Sequence, residues 1–265
     1  MKIKHLIKLF FFFILRLLKY EEYVKNRIIQ DKNNPFLVLK RLLQEEIIFI
    51  DVGANEGQTI DIIANIFPKA DIYSFEPTLE LRAKLKKKYV NNNKVHLNFL
   101  GLSNYEGKSI FFTSEHSATN SILDPNVALY EKFNHPITNI LRKKQLYEIN
   151  VTTLSNWYRY NRELGIVDVL KIDTQGSEFL ILEGSKDIFD KIKIVLFEIQ
   201  FEQFYLDSPL FTKSFELLYK HSFYLLDFYN ISRINGLLIE CDVIFLNKKY
   251  FPLENVNVID KPNEK

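Results

Sequence analysis

Residues 50–57 read IDVGANEG: the apolar run IIFI ends in Asp51, and the chain then breaks at Gly53 and Gly57 before a helix-like stretch. A strand that runs into a glycine turn ahead of a helix aims unpaired backbone N–H groups at a ligand, and the glycines let the backbone approach it closely. A second apolar stretch, DIYSFEP, carries Glu76 at its end, 23 residues past Gly53. An acid at the end of the second strand of such a unit is placed to accept hydrogen bonds from both hydroxyls of a ribose. The ligand expected is therefore an adenosine derivative.

What the turn lacks narrows the choice. A dinucleotide fingerprint needs Gly-x-Gly-x-x-Gly, and Asn55 and Gln58 stand at its second and third glycine positions, so NAD and FAD are disfavoured. A phosphate loop is approached only by GLSNYEGKS, Gly101 to Ser109, which has one residue too many between its glycines and reads as a turn before a hairpin. The remaining pattern, acid-x-Gly-x-Asn-x-Gly with a ribose-binding Glu, suits a ligand without phosphate such as S-adenosylmethionine (SAM). A glycine turn with no ligand is the plain alternative. Asp51, Glu76, Asp173 and Glu198 each follow a short apolar run, which predicts four carboxylates on one rim of an open α/β sheet. Asp51 and Glu76 are assigned to the cofactor, Asp173 and Glu198 to the side where an acceptor enters. A carboxylate, or a divalent ion held by two, can take a proton from a reacting group. His116 is the alternative base, because an unperturbed imidazole titrates near neutrality. Glu198 reads equally as an ion-pair or capping residue, and Glu178 as an early helix residue that favours the N-terminal dipole.

The strings IDVGANEGQT, YSFEP, LGLSNYEG, VTTLSNW and LKIDTQGSEFLILEG occur in that order. Through them the chain resembles the FkbM family of SAM-dependent methyltransferases, from about residue 47 to residue 200. The resemblance implies a Rossmann-like class I methyltransferase fold, a mostly parallel seven-stranded sheet with helices on both faces. It also implies methyl transfer, commonly to a hydroxyl of a sugar or other small metabolite, as in polysaccharide modification. Two positions depart from the family's pattern: Gln175 stands where KID-x-E-G-x-E has its first Glu, and Ser155 where TLD has Asp. Each departure removes a carboxylate. The residues expected to hold the cofactor are Asp51, Gly53, Asn55, Gly57, Glu76 and Ser103; those expected to be catalytic are Asp173, Glu198 and His116. A magnesium ion stays open, with no ligand set assigned. A module that binds SAM or a nucleotide without turnover, as a regulator or assembly partner, is the alternative function.

These residues need a scaffold, and apolar periodicity supplies one. Strands are predicted at 47–51, 71–75, 95–100, 167–172, 193–198, 223–227 and 242–247, and helices at 57–66, 78–89, 177–183 and 209–220. Apolar strands with helical crossovers argue for a parallel sheet. A helix-like segment covers 20–44 with a turn at Asn33-Asn34-Pro35. Residues 108–153 form an insertion, with a strand in KSIFFTS, a polar turn-rich run SEHSATNSILDPN and an ambiguous stretch after it, and a binding loop suits it better than a second domain. The division expected is an N-terminal helical segment 1–45, a methyltransferase domain 46–250 and a tail 251–265.

Composition agrees without deciding. A chain of 265 residues, 47% hydrophobic, can bury a full core, and a formal charge of +2 provides no basic domain for nucleic acid. The lysine-rich run from Lys84 to Lys88 reads as a solvated helix face, and the string NPPY of DNA amino-methyltransferases is missing. The acceptor expected is a small molecule or glycan. One cysteine, Cys241, leaves no internal disulfide and fits a reducing, cytoplasmic compartment, so Asn150 and Asn230 carry no glycosylation meaning. No zinc-ligand spacing is present. The first nineteen residues, MKIKHLIKLFFFFILRLLK, hold five basic residues and no acid, with an uncharged run of only Leu9 to Leu15, too short to span a bilayer. No small-residue cleavage site follows, which argues against a signal peptide. On a helix Lys4, His5, Lys8, Arg16 and Lys19 gather on one arc opposite Phe, Leu and Ile, which suits peripheral contact with the inner face of an anionic membrane; packing on protein is the alternative.

Overall fold

A computed structural model of the chain describes residues 34–252, so the amphipathic segment 1–19 and the tail beyond Pro252 lie outside the described residues. The fold is built on strands β1 (Ile48–Val52), β2 (Asp71–Phe75), β3 (Val95–Asn98), β7 (Val167–Ile172), β8 (Ile192–Gln200), β9 (Phe223–Ile234) and β10 (Leu237–Asn247). They form one seven-stranded sheet in the order β3-β2-β1-β7-β8-β10-β9. The first five pair in parallel, and β10 alone runs antiparallel to its neighbours. Strand β7 is buried at every position, as expected of a central parallel strand covered on both faces. Successive side chains alternate between two cores: Ile50, Leu170, Val195 and Phe245 on one side, Phe49, Val169, Ile194 and Ile244 on the other.

Helices close both faces. Helix α1 (Pro35–Leu42) and α2 (Gln58–Ile66) supply Leu39, Ile60 and Ile63 to one core, and α3 (Leu79–Lys88) follows β2. Asn34 caps α1 by accepting from the Phe36 N–H, with Pro35 in the first turn, where its missing N–H costs nothing. On α3, Lys84 pairs with Glu56 and Lys88 with Asp61, so the basic run is a solvated, ion-paired face. Residues between β3 and β7 build a second, three-stranded sheet from β4 (Gly101–Leu102), β5 (Gly107–Thr113) and β6 (Gln145–Thr152), in the order β4-β6-β5. Between β5 and β6 lie a 3-10 turn, Ser117–Thr119, and the short helices α4 (Val127–Lys132) and α5 (Thr138–Leu141). Helices α6 (Leu154–Arg159), α7 (Glu178–Ser185) and α8 (Phe211–Lys220) cover the other face through Leu154, Ile181, Leu182 and Leu218.

The last two strands are longer than periodicity predicts, 12 and 11 residues. Register shifts interrupt their pairing and β9 exposes much of its surface, so no clean alternation survives. Asn235 and Gly236, with φ of 51° and 83°, make the tight turn between them, the Asn-Gly signal of a hairpin that apolar periodicity overlooks. Among the described residues no helix is long and apolar enough to cross a membrane.

Candidate active site

Three strand-to-helix turns meet at the carboxyl ends of β1, β2 and β7. The first is held to the second by backbone: the N–H groups of Gly53 and Ala54 both donate to the Phe75 carbonyl, at 3.0 and 3.1 Å. Glu76 ties them again, its Oε2 accepting from the Asn55 N–H at 2.7 Å and its Oε1 from the Thr78 N–H at 2.9 Å. Each oxygen keeps further acceptor capacity. Burial pushes the Glu76 carboxyl up, against the backbone N–H groups and Thr78 that hold it down. The glycines serve the protein itself. Gly53, at φ 88°, has no room for a Cβ because the Asp173 carbonyl of the third turn sits there, and at Gly57, at φ 87°, the space belongs to the Tyr89 hydroxyl, which donates to the Gly57 carbonyl at 2.8 Å. The close approach that the structure shows at these two glycines is that of neighbouring chain.

Asp51 is fully buried and lies in register with Lys171 of β7. The ammonium is 3.3 Å from Asp51 and 3.4 Å from Asp173. Burial alone would lower the Lys171 pKa; the two carboxylates outweigh it and hold the ammonium charged. Asp51 therefore stands behind the wall of the site, not on it. Asp173 continues to Glu198 through a residue the sequence reading set aside: the Gln175 amide donates to Asp173 Oδ1 at 3.1 Å and to Glu198 Oε2 at 3.2 Å. Burial and then the charge of Asp173 push the Glu198 carboxyl well above the usual carboxylate range. Glu178 faces back into its own turn, accepting from the N–H groups of Thr174 and Gly176.

These turns wall a cavity of about 150 Å³. Ligand pockets usually run to roughly 300–1,000 Å³; this one is smaller, and Ser117, Ala118, Asn120, Ser121 and Ile122, from the segment between β5 and β6, line it as a roof. Ser117 donates to Asn55 Oδ1 at 2.7 Å, Asn120 to Thr78 Oγ1 at 3.3 Å and Ser121 to the Gln175 carbonyl at 2.7 Å, so the roof is fastened to all three turns. Of the residues expected from the sequence, Gly53, Asn55, Glu76, Asp173 and Glu198 line the cavity; Asp51, Gly57, Ser103 and His116 do not. Ser103 is fully buried, its carbonyl occupying the place a Cβ on Gly184 of α7 would take. His116 is exposed beside the roof. Ser117, Asn120, Ser121 and Gln175 went unassigned, although the polar run around Ser117 was itself legible. The other departure from the FkbM pattern, Ser155, lies in a separate cleft with Arg159, Arg162 and Lys191, so loss of an acid there leaves this cavity untouched.

The residues present fit SAM. Phe75, Leu102 and Ile122 offer apolar surface beside the carboxyls of Glu76, Asp173 and Glu198, a lining that can take a ligand carrying both an apolar part and a sulfonium cation. The family model described as the methyltransferase FkbM domain matches residues 51–225. A 2-O-methyltransferase, NoeI, of Sinorhizobium fredii is 22% identical over 181 residues, 63% of this chain and 69% of that protein. A crystal structure of methyltransferase FkbM from Methylobacillus flagellatus aligns at 13% identity and a TM-score of 0.44, over 77% of this chain and 45% of that one, so this chain spans less than half of its length. Aeropyrum pernix fibrillarin, in complex with natively bound SAM, aligns at 11% identity and a TM-score of 0.40, over 76% and 67% of the two chains. With the model match covering well over half of its residues, from Asp51 at the end of β1 into β9, the chain belongs to the FkbM methyltransferase family.

Proposed function

We propose that the protein transfers a methyl group from SAM to a hydroxyl of a sugar, glycan or other small hydroxylated acceptor. One observation carries this reading: the charged residues on the cavity wall are Glu76, Asp173 and Glu198, with no Lys, Arg or His among them. An acceptor whose reacting end is a phosphate or carboxylate would bring unpaired negative charge to that wall, which favours a neutral hydroxyl and disfavours a nucleic-acid backbone. A relative named a 2-O-methyltransferase points the same way. When bound, SAM supplies a methyl group on a sulfonium for in-line displacement. Asp173, with its side chain 43% exposed and beside the Lys171 ammonium, takes the proton of the acceptor hydroxyl as its oxygen bonds to the methyl carbon and the carbon–sulfur bond breaks. Glu198, tied to Asp173 through the Gln175 amide, orients the hydroxyl. A divalent ion would find these two acids already bridged by the Gln175 amide, and among the described residues no group of three or more His, Cys, Asp or Glu side chains is placed to hold one.

Incubation with methyl-labelled SAM and a panel of neutral and acidic sugars and glycans tests the reading. Label is expected in neutral hydroxylated acceptors. Transfer confined to amines or to nucleic acid would overturn it, as would no transfer by protein that binds S-adenosylhomocysteine (SAH). Asp173→Asn should lower the rate about 10²–10⁴-fold with SAH affinity kept; parental turnover would remove Asp173 as the base. Chelator should leave the parental rate unchanged, whereas a loss restored by magnesium would assign an ion.

A further inference from the structure

Gln175 sits in the turn between β7 and α7 at φ 58°, a left-handed conformation that side chains other than Asn, Asp and Gly rarely adopt. Four contacts hold it there. Its carbonyl accepts from Ser121 at 2.7 Å, its Nε2 donates to Asp173 and Glu198, and its Oε1 accepts from the buried Tyr205 hydroxyl at 3.1 Å. Tyr205 in turn presses on Gly176, where a Cβ would fall 2.9 Å from the tyrosine ring. The single Tyr205 proton is shared between Oε1 and the Thr119 carbonyl, also at 3.1 Å, and the two carboxylates can only accept, so the amide is oriented with its hydrogens towards Asp173 and Glu198. Among the described residues the amide is the only hydrogen-bond partner of the Glu198 carboxyl.

We propose that Gln175 is a positioning residue: its amide ties Asp173 to Glu198, keeping the acid pair at one separation and aimed across the cavity at the methyl donor. The inference rests on the methyl-transfer reading. A glutamate in the same place would put an oxygen where Nε2 now stands, just over 3 Å from two carboxylates, and would break the tie by repulsion. A neutral amide holds both acids and adds no charge.

Two variants separate positioning from folding. Gln175→Asn tolerates the left-handed backbone but is one methylene shorter and cannot reach both acids; Gln175→Glu keeps the length and reverses the polarity. Both should keep SAH affinity within about twofold and the KM for SAM near the parental value, while kcat falls roughly 10- to 100-fold, the scale of a misplaced catalytic group. Parental kcat in both variants would overturn the proposal. So would kcat and SAH affinity falling in parallel, which is the mark of a merely structural role. A second readout needs no acceptor: the side-chain amide resonances of Gln175, assigned by their loss in Gln175→Glu, should move in Glu198→Gln. Resonances unmoved by that change would show that no tie exists. Failure of the parental protein to methylate any acceptor would sink the methyl-transfer reading instead, and the amide resonances would still decide the tie.

Discussion

Glu76 and Gly53 stand in two turns bonded to each other, yet substitution at each should fail differently. Glu76 accepts one backbone N–H on each oxygen, and we propose that the capacity left over takes a ribose diol. Glu76→Ala should weaken SAH binding by about 1.5–3 kcal/mol, the scale of hydrogen bonds to a charged group. Calorimetry showing unchanged affinity would remove the ribose assignment. Gly53→Ala meets a different obstacle, because the new Cβ collides with the Asp173 carbonyl at a positive φ. The first quantity to fall should be the stability of the free protein, by about 2 kcal/mol or more in urea denaturation. A variant that unfolds like the parent but does not bind SAH would return Gly53 to a purely ligand-clearing role.

At the scale of the element, the turn from β7 into α7 depends on a buried acid. Burial pushes the Glu178 carboxyl up to about 7, although the N–H groups of Thr174 and Gly176 favour its ionised form. The folded pKa lies above the unfolded one, so the contribution of Glu178 to stability is fully present below about pH 4.5 and is lost as pH rises through about 7. The loss is on the order of 3 kcal/mol. Glu198, Glu240 and Asp242 are raised in the same direction, burial being the leading cause for each. Melting temperature should therefore fall as pH rises from about 5 to about 8, and Glu178→Gln should flatten that slope without abolishing it. A pH-independent melting temperature in the parent would contradict the buried carboxyls; an unchanged slope in the variant would acquit Glu178.

For the whole molecule, the seven-stranded sheet brings turns separated by more than a hundred residues, from Gly53 to Asp173, onto one rim, and the segment between β5 and β6 roofs them. The site begins some thirty residues after the cationic N-terminal segment in the numbering. We propose that residues 1–19, which lie outside the described residues, hold the enzyme at an anionic membrane surface. Each Lys or Arg near such a surface contributes about 1 kcal/mol, so binding should be reversible and weakened by salt. The full chain should float with anionic liposomes at low salt, and a chain lacking residues 1–19 should stay behind with SAH affinity intact. Equal flotation of both, or of neither, would make that segment a packing element.

Local chemistry made the strands β1, β2, β7 and β8 legible, because strands buried on both faces are apolar almost throughout, and an acid after an apolar run marked the rim, although Asp51 and Glu198 lie within β1 and β8 rather than beyond them. The same logic named Glu76, Asp173 and Glu198, which line the cavity. It could not separate them from Asp51, which ends its apolar run in the same way but faces Lys171, since a carboxylate's partner across a sheet is fixed by register and not by its neighbours in sequence. Nor could it find the roof or Gln175. Ser117, Asn120 and Ser121 are ordinary loop residues until the chain folds over the rim, and Gln175 looks like a lost acid until Tyr205, thirty residues on, orients its amide. Apolar patterning is written along the chain, because burial repeats with the period of the backbone; which polar groups meet is decided only when distant turns are packed together.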